Sequence, residues 1–375
     1  MAALRDDIDP DGMLEFSVVF TDRSLNHMSV AFQEVMRDIH ATMCEVYGAQ
    51  ACVIVPGGGT YAMEAVARQF ATGKKVLVVR NGFFSFRWSQ IFASGGIAAS
   101  ESVMKARRRG NAPDAPFEPA PIEAVVARIQ AEKPDVVFAP HVETASGIIL
   151  PDDYVAKLAA AVHDVGGILV LDCIASGCIW VDMAALGVDV LISAPQKGWS
   201  APPSAGLVMM NAQAAQMCRE AQSTSFAIDL GKWQSIMEAY LSGGHAYHAT
   251  MPTDALRQFH GAMMESKAIG FEQLKAAQWE QGVRARDILA ELGAKSVAAP
   301  GFEAPGVVVS YTADPEVQSG HKFASLGVQI AAGVPLQCDE GPDYKSFRLG
   351  LFGLDKLKDV DASVARLRAA LERVL

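Results

Sequence analysis

The chain of 375 residues is predicted to be an α/β protein built on a mostly parallel sheet. Two observations carry that expectation. From Cys52 onward, short β-rich runs alternate with longer helical patterns, as a series of βαβ units requires. The runs are also apolar on both faces, which suits strands covered by helices on both sides.

Taken in order, ACVIVP (51–56) reads as a strand, GGGT breaks it, and TYAMEAVARQF (60–70) carries helix formers. KKVLVVR (74–80) is a second strand, closed by an Asn81-Gly82 turn with a helical pattern behind it. PDVVFAP (134–140), GGILVLD (166–172), VDVLISA (188–194) and AGLVMMN (205–211) follow as strands, with PDDYVAKLAAAVHDV (151–165) as a helix between two of them. After about residue 255 the pattern changes. A helical stretch runs over 255–294 without an internal proline, then come the β-like runs GVVVSYT (306–312) and KSFRLGLFG (345–353) and a closing helix, DASVARLRAALERVL (361–375). The long stretch reads as the bridge into a smaller C-terminal α+β domain, and the chain length favours two domains. The expected division is an N-terminal segment over 1–20, a large domain over 21–260 and a small one over 261–375.

Composition narrows the function classes. Half the residues are apolar and a fifth are charged, so a generous core is expected. A net charge of −10 argues against nucleic acid as the main partner. The opening residues MAALRDDIDPDG are acidic and lack the apolar core of a secretory signal. No apolar run approaches the ~20 residues of a membrane span. Six scattered cysteines form no C-x-x-C pair, so they read as reduced thiols, without a disulfide frame or a metal site. The expected compartment is the cytoplasm.

Chemistry concentrates at strand ends. Asp172 ends GGILVLD, and Lys197 stands just past the end of VDVLISA, in SAPQKGW. If both runs are parallel strands, both side chains emerge at the carboxyl edge of the sheet, where open α/β sheets bind ligands. A buried lysine loses its proton more readily and attacks carbonyl carbon, and a carboxylate in an apolar run must find a partner. Pyridoxal 5′-phosphate needs both, a lysine for a Schiff base and an acid for its ring nitrogen. Singly, each residue is explained as well by a surface lysine or a turn aspartate.

Pro56-Gly57-Gly58-Gly59-Thr60 lies between a strand and a helix, where amides and the helix dipole can hold a phosphate. The same glycines also resemble a dinucleotide fingerprint, so an NAD-dependent Rossmann dehydrogenase is the rival. That rival wants an acid at the end of the next strand, where Arg80 and Asn81 stand instead. Phe84, in NGFF, offers a ring to stack on a planar cofactor or simply a core ring. Arg348, in SFRLGLFG, is a structural ion-pair partner or a clamp for a substrate carboxylate.

Together PGGGTYAMEA, RNGFF, HVETASGIILP, LDCIAS, SAPQKGW with PPSAGLVM, YHATMP and FRLGLFG resemble, in order, the class V aminotransferases of PLP fold type I, particularly the alanine–glyoxylate and serine–glyoxylate branch. The resemblance covers nearly the whole chain from about residue 30. It implies a large domain with a mostly parallel seven-stranded sheet covered by helices, and a smaller C-terminal α+β domain. It implies transfer of an amino group from a small amino acid such as alanine or serine to a 2-oxo acid such as glyoxylate or pyruvate, with ping-pong kinetics.

By position, the resemblance makes Lys197 the Schiff-base lysine and proton shuttle and Asp172 the partner of the ring nitrogen. Phe84 becomes the stacking ring, and Gly58, Gly59, Thr60 and Gln196 become phosphate contacts. Thr144 falls near the ring hydroxyl. Tyr247 and Thr250 fall where residues cross to the neighbouring subunit's phosphate, which implies a homodimer. Arg348 falls on the substrate-carboxylate arginine. One departure stands out: the family's Gly-Pro-Gly segment beside the substrate pocket is replaced by MLEFSVVFTDRSLNHMS, where Arg23, Asn26 and His27 read better as turn or helix-start residues than as pocket residues. A cysteine desulfurase or other class V lyase is a nearby alternative, with Cys338 as its loop cysteine. A non-catalytic PLP-fold sensor is a more distant one.

Overall fold

The computed structural model describes residues 7–375, so the first six positions of the expected N-terminal segment lie outside the described residues. Seven strands form one sheet: β1 (Ala51–Pro56), β2 (Lys75–Arg80), β3 (Ser100–Lys105), β4 (Val136–Pro140), β5 (Ile168–Asp172), β6 (Val190–Ser193) and β7 (Ala205–Met210). Their spatial order is β1-β7-β6-β5-β4-β2-β3.

The run β6-β5-β4-β2-β3 is parallel throughout, with Ile192 opposite Asp172, Pro140 opposite Asp172 and Val76 opposite Val136. β7 runs against both of its neighbours, pairing Ala205 with Pro56 and Leu207 with Ser193. The expected mostly parallel sheet is therefore present, with β7 its reversed member. β4, β5, β6 and β7 are buried along their whole length, which is why their sequences carry successive apolar residues and not alternate ones, with polar residues only at the ends of β5 (Asp172) and β6 (Ser193).

Two helices open at the carboxyl edge of this sheet. Gly59–Phe70 follows β1, and Phe83–Gly95 follows β2. Their inner faces, with Ala62, Val66, Trp88 and Phe92, pack into the main core against Val53, Leu77 and Phe138.

The expected uninterrupted helical stretch is two helices, Thr253–Ile269 and Phe271–Glu291. Gly270 separates them at φ 108°, a conformation that glycine alone adopts cheaply. Leu256, Phe259, Met263 and Leu274 are buried in the main core, whereas Ala285, Ile288 and Leu289 belong to a separate core with Phe323, Phe347 and Leu371. The second helix thus passes from one core to the other. Behind it a small antiparallel sheet forms from β8 (Val307–Tyr311), β9 (Ala331–Ala332) and β10 (Ser346–Gly350), with β10 in the middle. The closing helix spans Val360–Val374. A third apolar cluster joins the two bodies: Phe117, Ile148 and Val309 form its centre, and the half-buried rings of Phe83, Phe84 and Phe352 pack on it. No described helix is long and apolar enough to cross a membrane.

Candidate active site

Asp172 and Lys197 meet as the parallel register requires. β5 and β6 are adjacent, Asp172 is the last residue of β5, and Lys197 lies in the turn beyond β6. That turn is closed by Ser200 N–H donating to Lys197 O (3.0 Å) and Ala201 N–H donating to Pro195 O (3.1 Å). Ser200 holds φ 55°, and its hydroxyl accepts from Leu354 N–H at 3.0 Å, which ties the turn to the C-terminal body. A Cβ on Gly198 would lie 2.1 Å from the carbonyl oxygen of Gly177, so the backbone after the lysine is pressed against a second loop. The Lys197 ammonium sits 5.4 Å from the centroid of the Phe352 ring.

Both groups are pushed toward their neutral forms. Burial raises the Asp172 carboxyl to about 7, and nearby Glu143 adds to the rise; an amide bond from Ile174 N–H (2.9 Å) and the positive charges of Arg87 and Lys197 pull the other way. Burial lowers the Lys197 ammonium and Arg348 adds to it; Asp172 pulls the other way, and Arg87 makes a smaller lowering contribution. A free amine at neutral pH is what attack on an aldehyde requires. Among the described residues Asp172 receives that single hydrogen bond. Its carboxyl therefore has capacity for a protonated ring nitrogen, and this is the observation on which pyridoxal phosphate fits the site.

The glycine turn stands at the end of β1, on the same edge. Gly57 has φ 120°, and its N–H bonds Ser204 O at 3.0 Å. A Cβ on Gly59 would meet Ile174 Cδ1 at 2.5 Å, so glycine here lets the turn close onto the residues following Asp172. A Cβ on Gly58 would meet nothing within 4 Å, which leaves that side of the turn open. Tyr61 and Ala62 N–H both donate to Gly58 O, and the amides ahead of them, Gly59 and Thr60, have no acceptor within the helix and can face an anion. The Thr60 hydroxyl accepts from Arg87 Nη1 at 2.9 Å.

Phe84 is set by a buried acid. Glu143 is fully buried, and its carboxylate accepts from Phe84 N–H (3.2 Å), Ser85 N–H (2.8 Å), the Ser85 hydroxyl (2.7 Å) and Ala145 N–H (2.9 Å). It caps the positive end of the Phe83–Gly95 helix, where a carboxylate is favoured. Gly82 is needed beside it, because a Cβ there would lie 2.6 Å from Glu143 Cγ. Two guanidinium groups lie over the Phe84 ring, Arg87 at 5.1 Å and Arg348 at 5.4 Å from its centroid. Arg348 is central in the small sheet, opposite both Val309 and Ala331, and its Nε donates to Ala332 O at 2.8 Å.

Of the residues expected from sequence, Asp172, Lys197, Phe84 and Arg348 converge, and Gly58, Gly59 and Thr60 border them. Gln196 is exposed next to Lys197, and Thr144 is half-buried next to Glu143. Tyr247 and Thr250 are exposed and hydrogen-bond each other at 3.1 Å, and Tyr247 packs on His27 at 5.6 Å. Arg23 is exposed, whereas Asn26 is buried and bonds Glu15 Oε2 at 2.6 Å. Sequence reasoning missed Arg87, Glu143 and Phe352. Arg87 had a signal, since it lies three residues past Phe84 on one helix face.

Two expected rivals lose their footing. Arg80 at the end of β2 sits over the Phe86 ring at 4.6 Å and donates to Ser89 Oγ at 2.7 Å, so this strand end offers a cation where a ribose needs an acid. Cys338 is buried, burial pushes its thiol up to about 12, and Glu340 pins its loop by accepting from Leu336, Gln337 and Cys338 N–H. A mobile nucleophilic cysteine needs the opposite surroundings.

The chain belongs to the class-V aminotransferase family, which matches residues 14–314. It is a pyridoxal-phosphate-dependent aminotransferase of fold type I. Among its relatives, the 2-aminoethylphosphonate–pyruvate transaminase of Paraburkholderia phymatum is 26% identical over 94% of this chain and 92% of its own length. An aspartate aminotransferase of subgroup IV from Thermus thermophilus superposes with TM-score 0.74 at 25% identity, covering 94% of each chain. The alanine–glyoxylate aminotransferase of Nostoc sp. shares the fold, with TM-score 0.78 at 20% identity over 93% of this chain and 89% of that one.

Proposed function

We propose that the enzyme moves an amino group from a small primary amine, either an amino acid such as alanine or serine or an aminophosphonate, to pyruvate or glyoxylate. The observation that carries the reading is the Asp172–Lys197 pair at the ends of adjacent parallel strands, Asp172 closing β5 and Lys197 in the turn after β6, with Arg348 beside it. The aminophosphonate enters because relatives spanning over nine-tenths of the chain carry that activity in their names.

When bound, pyridoxal phosphate supplies an aldehyde to capture amines and a ring that withdraws electrons from the neighbouring carbon. Lys197, whose ammonium is disfavoured by burial and by the nearby Arg348 and Arg87 charges, would attach the cofactor and afterwards hold and return a proton at its Nζ. Asp172 holds the ring nitrogen in its protonated form. Gly58, Gly59, Thr60 and Gln196 hold the phosphate, Phe84 covers one ring face, and Thr144 reaches the ring hydroxyl. Arg348 grips the anionic group of donor and acceptor in turn, which suits a ping-pong sequence.

The large domain, 21–260, holds the cofactor, and the small domain, 261–375, supplies Arg348. The working unit is a homodimer in which Tyr247 and Thr250 reach the partner's phosphate; their exposure and the exposed apolar Met13, Leu14, Phe16 and Val18 support this. Six cysteines, all free, support a reducing, cytoplasmic setting.

An absorption spectrum of the purified protein tests the reading. Addition of alanine, serine or 2-aminoethylphosphonate should bleach the cofactor band, and pyruvate or glyoxylate should restore it. A protein that takes up no pyridoxal phosphate would sink the proposal.

A further inference from the structure

Arg87 is a positively charged group at the site to which the proposed function gives no role. It is half-buried, and among the described residues no carboxylate oxygen lies within 4 Å of it, whereas Arg68, Arg219 and Arg284 each have such a partner. Of five N–H donors, one is used, on the neutral hydroxyl of Thr60. The Phe84 ring at 5.1 Å supports its plane, and that ring is fixed by the Glu143 carboxylate through the Phe84 and Ser85 amides. A guanidinium held in one orientation, short of acceptors and touching the first turn of a helix, is built to receive an anion.

We infer that Arg87 is part of the cofactor-phosphate site, a bidentate clamp that completes the cradle of Gly58, Gly59 and Thr60. The inference rests on reading that turn as the phosphate site. One contact, and the substrate role proposed above for Arg348, favour phosphate over the substrate's anionic group. Arg87 reaches back across to Thr60, at the helix start that would cradle the phosphate. Arg348, on the opposite body, already supplies the substrate cation. The half-buried position gives the fork a larger effect than a solvated lysine would have, because a dianion beside it is less screened.

The test compares two cofactor forms that differ only in the phosphate. Cofactor-free protein is titrated with pyridoxal 5′-phosphate and, separately, with pyridoxal, following absorption. In Arg87→Gln the dissociation constant for pyridoxal phosphate should rise about ten- to a hundredfold, the range of a charge-assisted hydrogen bond. The constant for pyridoxal should change by less than about twofold, within the effect of a residue that touches only the phosphate. Arg87→Lys, which keeps the charge and loses the fork, should show a smaller loss with the same selectivity for the phosphorylated form. Thermal melts establish that each variant is folded; should Arg87→Gln not fold, the lysine variant decides alone. Equal losses for both forms would overturn the inference in favour of ring support through Phe84. Unchanged cofactor affinity with a raised KM for an anionic donor would overturn it in favour of a substrate role. Failure of the unmodified protein to bind pyridoxal phosphate would instead count against the functional reading itself.

Discussion

At the scale of residues, burial pushes Asp172 and Lys197 toward their neutral forms. Asp172 makes this measurable. Its carboxyl titrates at about 7 in the folded, cofactor-free protein against 3.8 ordinarily. Between those values the folded chain keeps a proton that the unfolded chain has released, so its contribution to stability is present below about 4 and lost as pH rises through 7. His141 works in the opposite sense. Burial lowers its imidazole to about 4, so the contribution from keeping it neutral is lost as pH falls from 6.5 toward 4. The stability of Asp172→Asn relative to the unmodified protein should therefore climb across this window, while the His141 contribution, common to both, cancels. Melting curves of the two cofactor-free proteins at several pH values check it; parallel curves would refute the buried, proton-holding carboxyl. For catalysis, Lys197→Ala should lower turnover by several orders of magnitude, as loss of a covalent nucleophile does. Arg348→Ala should raise KM for the anionic substrate about ten- to a hundredfold, measured by steady-state kinetics.

Elements set how precisely those residues are held. Glu143 joins the loop after β4 to the start of the Phe83–Gly95 helix through three hydrogen bonds, and a fourth, from Ala145 N–H, closes its own loop. Glu143→Ala would leave buried donors without acceptors and should destabilise by about 2–4 kcal/mol in chemical denaturation, with weaker cofactor binding because Phe84 loosens. Gly198→Ala tests the lysine turn. Its Cβ would collide with the Gly177 carbonyl, and a protein that retained full cofactor occupancy would show the turn to be tolerant.

The legibility of the sequence follows the same division. β4, β5, β6 and β7 were readable because strands buried on both faces carry successive apolar residues, and Asp172 and Lys197 were readable because one ends such a run and the other follows just beyond one. The polar edge strand β3, SESVMK, carries no such pattern, being partly exposed throughout. The break at Gly270 was hidden because a lone glycine in a helical pattern does not announce its φ. Glu143 was obscured for another reason: its partners are backbone amides 58 and 59 positions away, and backbone donors leave no trace in side-chain identity.

For the whole molecule, the proposed homodimer carries its own predictions. Sedimentation should give a dimer. Dilution that yields monomers should release cofactor, and Tyr247→Ala should weaken cofactor retention without disturbing the fold of one chain, since the side chain is more than half exposed. A monomer that keeps its cofactor at every concentration would refute the shared site.

The reversed strand β7 has a consequence for how the molecule comes apart. Because β7 starts at the ligand edge, the chain leaves β6, makes the Lys197 turn and enters an adjacent strand within a short stretch, so the lysine is closed into a local hairpin inside the main core. Arg348 depends on the smaller core, with its own set of buried residues. Local opening proceeds through such cooperative units, the less buried ones first. Native-state hydrogen exchange should find the amides of β10 opening at lower denaturant than those of β6 and β7. Under mild stress the enzyme would then release its hold on substrate before it disturbs the lysine.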